Sequence, residues 1–99
     1  MKKTMTENEF ILEMRSYDCA AHFSYAGLKA IFNYIKQLEQ DTGIETEFDP
    51  IGLCVKWREE TWVEIQIIYL YLKLNDIEEL SDFTHWEKTE AGTIVYQPW

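Results

Sequence analysis

The sequence predicts an α+β domain: a small antiparallel sheet of about three strands, ending in a C-terminal hairpin, covered on one face by two to four helices. Three observations carry this. Helical periodicity dominates the first 42 residues, alternation of period two replaces it after Gly43, and two β-forming runs flank a glycine turn near the C-terminus. With 99 residues, 46% apolar and 15% aromatic, the chain holds one domain with one packed interior.

The first helix starts at Thr6. Glu9 follows three residues later, and the pair spells a capping box ahead of the apolar positions Phe10, Ile11 and Met14. Ser24 opens a longer helix, in which Leu28, Ile31, Phe32, Ile35 and Leu38 recur at steps of three and four. Gly43 stands where a glycine would close it. Next, Ile44, Thr46 and Phe48 alternate with Glu45, Glu47 and Asp49, the pattern of an extended segment with one buried face. Pro50 interrupts it. Leu53, Val55 and Trp57 alternate again, which predicts a strand over 51–58.

Thr61 and Glu64 form another capping box before residues 62–74. The box and the thirteen-residue length favour a helix over the strand its β-branched content suggests, and its apolar character nearly all round predicts deep burial. Asn75 and Asp76 with Glu78 and Glu79 recap a short helix ending near Asp82. Residues 83–88 and 93–97 form the hairpin, with Glu90, Ala91 and Gly92 at its turn.

Charge is unevenly distributed. Residues 1–36 carry four acids and five bases, while residues 37–99 carry fourteen acids and four bases, leaving the chain at −9. Between Gln37 and Pro50 stand Glu39, Asp41, Glu45, Glu47 and Asp49 without a single cation. Such a field repels nucleic acid directly and attracts basic protein surfaces. In an extended segment, alternate carboxylates lie ~6.6 Å apart, a spacing comparable to phosphates along a strand. Asp76, Glu78, Glu79 and Asp82 offer a second row. These nine residues are the candidate partner-binding set, against the plainer alternative of a solvated edge that discourages pairing.

Other constellations fail on their chemistry. Asp41-Thr42-Gly43 matches the triplet of aspartic proteases, but it ends an amphipathic helix instead of following an apolar strand. Cys19, His22, Cys54 and His85 lack the paired spacing of zinc ligands, and a Cys–His nucleophile drawn from them has no orienting partner. Four Trp and six Tyr look like a base-stacking platform, but that mode needs a cationic groove, which an acidic chain does not provide. Lys56, Trp57 and Arg58 make one local cationic and aromatic spot. Trp99 after Pro98 reads as a packing latch or a contact residue. No catalytic, metal or cofactor residues are assigned, and the chain reads as a non-enzyme.

Lys2 and Lys3 lead into Thr4, Thr6, Glu7 and Glu9 instead of an apolar stretch, which argues against a secretory leader. The longest apolar run, 67–72, is too short to span a membrane. Cys19 and Cys54 then read as reduced, buried thiols of a cytosolic protein.

Phe23-Ser24-Tyr25-Ala26-Gly27-Leu28, Tyr34, Leu38-Glu39, Asp41-Thr42-Gly43 and Glu47-Phe48-Asp49-Pro50-Ile51-Gly52-Leu53-Cys54 together resemble a family of small uncharacterised proteins of tailed phages and prophages. Thr93-Ile94-Val95 matches its C-terminal strand, so the resemblance spans roughly residues 10–97. It implies a phage protein in the bacterial host cytosol and brings no catalytic residues. Within that setting the acidic set suggests a DNA mimic, an inhibitor of a host defence nuclease (anti-CRISPR or anti-restriction) working by protein–protein interaction. The alternative is a homo-oligomeric accessory or structural phage protein, joined through residues 62–74.

Overall fold

The structure is a computed structural model that describes residues 5–99. Lys2, Lys3 and Thr4 lie outside the described residues. The expected α+β architecture with a small antiparallel sheet is observed.

Helix α1 (Glu7–Arg15) starts at the Thr6–Glu9 capping box and buries Phe10, Ile11 and Met14. A 3₁₀ turn (Asp18–His22) leads to α2 (Tyr25–Thr42), capped by Ser24, whose Oγ accepts from the Gly27 N–H at 3.0 Å. Its buried stripe is Leu28, Ile31, Phe32 and Ile35, while Leu38 lies outside it and is exposed. Gly43 ends the helix with φ 69°, a conformation in which a Cβ would be strained.

Two expected extended segments take other forms. Residues 43–49 form an irregular connection that joins no sheet, and residues 51–58 are mostly helix α3 (Pro50–Lys56). The helix start lies in Asp49-Pro50: Asp49 Oδ1 accepts from the Gly52 N–H at 3.1 Å, and proline suits the first helical position. Alternation at Leu53, Val55 and Trp57 was misleading, because Val55 faces solvent and only Trp57, just past the helix, is buried. Of the cationic and aromatic spot, Trp57 therefore turns in while Lys56 and Arg58 stay outside.

Strand β1 (Arg58–Glu60) follows, then the Thr61–Glu64 capping box and α4 (Trp62–Ile68). The Thr61 backbone N–H donates to the Glu64 carboxylate and holds its pKa below the ordinary range. The helix expected over 62–74 stops after two turns and continues as a 3₁₀ turn (Leu70–Leu72). β-Branched residues weaken helix propensity there. A second 3₁₀ segment (Ile77–Asp82) has the expected cap at Asp76. Strands β2 (Trp86–Lys88) and β3 (Ile94–Tyr96) form the hairpin, with Gly92 at φ 84° in the turn.

Strand order is β1-β3-β2, all antiparallel. The finer expectation of one covered face is corrected, since β3 presents residues to two clusters. Val95 packs with Phe10, Leu28, Ile31 and Trp57 on the α1–α2 side. Ile94 and Tyr96 pack with Ile65, Tyr69, Leu74 and Leu80 on the other. Burial pushes the Tyr96 hydroxyl well above its ordinary pKa, and it donates to Glu60 Oε1 at 2.8 Å.

The cysteines are neither buried nor free. Cys19, exposed, and Cys54, half-buried, form a disulfide joining the first 3₁₀ turn to α3, with Cα atoms 5.9 Å apart. The expectation of reduced thiols is overturned. The bond also removes two ligands from the zinc set and the nucleophile from the Cys–His pair. Trp99 is a latch: it stacks on Tyr69 at 3.9 Å and on Phe83 at 5.4 Å between ring centroids.

Candidate functional site

The acidic connection at 43–49 is anchored by what it turns inward. Phe48 packs edge-on against Phe10, with centroids 5.7 Å apart, and the Thr46 N–H donates to Glu39 Oε2 at 2.7 Å. Because Thr46 and Phe48 point in, Glu45, Glu47 and Asp49 point out. The exposed alternation expected of a strand is thus achieved without a strand, through one ring and one backbone hydrogen bond.

The nine candidate carboxylates are not equivalent. Glu39 is half-buried, accepts from Thr46 and lies 3.7 Å from Lys36 Nζ. Asp49 caps α3, Asp76 caps the 3₁₀ segment at 77–82, and Glu79 accepts from the Asp76 N–H at 3.2 Å. These four stabilise helix ends or loop backbone. Asp41 accepts from Gln37 Nε2 at 3.0 Å and remains exposed. Glu45, Glu47, Glu78 and Asp82 are exposed, and their carboxylates have no hydrogen bond or ion pair among the described residues.

The two rows do not form one surface. The connection carrying Glu45 and Glu47 packs on the α1–α2 side through Phe48, whereas Leu80, between Glu79 and Asp82, belongs to the opposite cluster. Glu45, Glu47 and Asp49 form one outward group, Asp41 lies instead on the face of α2 turned toward β2, and residues 76–82 form another group beyond the sheet.

A second surface contradicts the sequence reading. Residues 62–74 were expected to be deeply buried, yet Val63 is 62% exposed, Ile67 66%, Leu70 72% and Tyr71 73%. Only Ile65, Tyr69 and Leu74 of this segment are buried. Two helical turns and a 3₁₀ turn laid on a three-stranded sheet shelter a single stripe, and the remaining apolar residues face outward.

Glu59 is the residue sequence reasoning missed. Its carboxylate accepts from the Ser24 N–H at 2.7 Å, Ser24 Oγ at 2.6 Å and Thr93 Oγ1 at 2.6 Å, tying the sheet to the start of α2. Gly27 makes room for it, since a Cβ there would collide with the carboxylate. Nothing local signals this contact, because Ser24 and Glu59 are 35 residues apart. Among the described residues no group of His, Cys, Asp and Glu side chains gathers as a metal site, and no helix is long and apolar enough to cross a membrane. No family model, curated protein or solved structure matches the chain.

Proposed function

We propose that this is a small acidic phage-type protein of the bacterial host cytosol that acts without catalysis, by binding a basic surface of a host protein. Its most specific form is an inhibitor of a host defence nuclease, whether a CRISPR effector or a restriction enzyme, occupying the groove that normally holds nucleic acid. The observation that carries the reading is the outward row Glu45, Glu47 and Asp49, held in place by Phe48 and Thr46. Lys and Arg that bind phosphates bind carboxylates by the same charge-assisted hydrogen bonds. Direct nucleic-acid binding is disfavoured by a net charge of −9.

The test uses Glu45→Lys with Glu47→Lys. Asp49 is spared because it caps α3, and losing that cap alone costs about 1 kcal/mol. Immobilised protein should retain a nucleic-acid enzyme from bacterial lysate at moderate salt and release it at high salt, and the double variant should retain none. Undiminished capture by the variant would sink the mimicry.

The exposed face of residues 62–74 favours a second reading, a homo-oligomeric accessory protein. Contiguous exposed apolar surface marks interaction sites. This face suits a second copy because it is nearly free of the charge that would repel one. It holds one acid, Glu64, engaged in its capping box, and one base, Lys73. Sedimentation should show a dimer that Ile67→Glu converts to a monomer, and a monomeric parent protein would remove this reading.

A further inference from the structure

We infer that the trough between α2 and the outer edge of β2 binds an extended peptide segment of a partner protein, added as a fourth strand, with a basic side chain against Asp41. This site is separate from the acidic row and from the exposed face of residues 62–74, and does not depend on either reading.

The backbone makes the case first. β2 is an edge strand. The Gln97 N–H donates to the His85 carbonyl and the Thr89 N–H to the Thr93 carbonyl at 2.9 Å, so residues 85, 87 and 89 direct their backbone groups toward β3. In an antiparallel ladder the intervening residues point the other way. Trp86 and Lys88 therefore present N–H and C=O groups outward, where no described strand meets them. That is the backbone pattern a strand-adding peptide uses.

Beside this edge lies an open trough of about 470 Å³ whose opposite wall is α2. Ala26 and Ala30 keep that wall low, and the Tyr34 ring, 4.2 Å from the His85 ring, supplies an apolar floor. Asn33 and Gln37 offer side-chain amides above it. A helix wall facing an exposed strand edge, with small residues between, accommodates an extended chain with alternate side chains directed into the trough.

Charge sets the polarity. At the hairpin end Lys29 is neutralised by Glu90, 2.9 Å away, which also raises the lysine's pKa. The other end lies where α2 finishes, at Asp41, with the helix's terminal carbonyls adding partial negative charge. A cationic side chain is favoured there and an anionic one opposed.

The probe is a blocked hexapeptide of alternating threonine and valine ending in arginine, with a glutamate-ended version as control, titrated into the full chain and followed by heteronuclear NMR. Shifts should localise to α2 and β2, and exchange of the Trp86 and Lys88 amides should slow about tenfold. The glutamate peptide should bind roughly tenfold more weakly. Lys88→Pro removes an outward N–H while sparing the bonds to β3, and Asn33→Trp fills the trough from the exposed side of α2. Each should abolish binding, and Asn33→Trp decides if the proline variant fails to fold. Shifts confined to residues 43–49, unchanged Trp86 and Lys88 exchange, or protection that grows with protein concentration without peptide would overturn the inference.

Discussion

Reducing the Cys19–Cys54 bond is expected to lower the unfolding free energy by about 4 kcal/mol, from the chain entropy released when a cross-link spanning 35 residues opens. For a domain of this size that is a large share of the total. The loss should fall first on α3, which has seven residues and none of them buried. Its attachment rests on the disulfide, on Leu53 and Cys54 against the α1–α2 cluster, and on Trp57 just beyond. Denaturant unfolding with and without reductant, with Cys54→Ser as a second route, measures the difference. Amide exchange over residues 53–56 should accelerate before the rest of the chain. A loss below about 1 kcal/mol would mean that the reduced chain is already as constrained as the bonded one. The result bears on the proposed cytosolic setting, where thiols are kept reduced.

The second large effect belongs to Glu59. Replacing it by alanine should cost about 3 kcal/mol, because three hydrogen bonds to a charged acceptor disappear at once. The Ser24 N–H at the start of α2 loses its partner. Gly27→Ala tests the same contact from the other side. In a helix, alanine is normally worth about 1 kcal/mol over glycine. Here its Cβ would meet the Glu59 carboxylate, so the substitution should instead destabilise by about 2 kcal/mol, the typical penalty of overpacking. In a Glu59→Ala background the obstruction is gone, and Gly27→Ala should become neutral or stabilising. A double-mutant cycle measures the coupling, and simple additivity would show that the two sites do not meet.

Within the run Phe23, Ser24, Tyr25, Ala26, Gly27 and Leu28 the structure supplies a physical reason for two positions. Ser24 caps α2 and donates to Glu59, and Gly27 leaves the space that carboxylate occupies. Acidic residues divide in a similar way. Four of the nine candidate carboxylates turned out to hold backbone N–H groups, which leaves a shorter row available to a partner.

Signals that act within about four residues were legible in the sequence. The capping boxes at Thr6 and Thr61, the Ser24 cap, the Gly43 terminus, the Asp76 recapping and the hairpin around Gly92 all appear as expected. Each depends on a side chain and a backbone group close along the chain, so residue identity and spacing suffice. Apolar periodicity also located the buried stripe of α2, because the helix is long enough for its period to outweigh chance.

Tertiary structure decided the rest. Alternation over residues 51–57 does not distinguish a half-buried strand from a short helix pinned by a disulfide, since burial depends on what arrives from elsewhere. The apolar segment 62–74 reads as interior in sequence, but interior exists only where a partner surface covers it, and three short strands cover one stripe. The Cys19–Cys54 bond, the Glu59–Ser24 contact and the trough beside β2 join residues separated by dozens of positions. Such contacts form only when the whole chain closes its loops, and no local pattern records which distant groups will then meet.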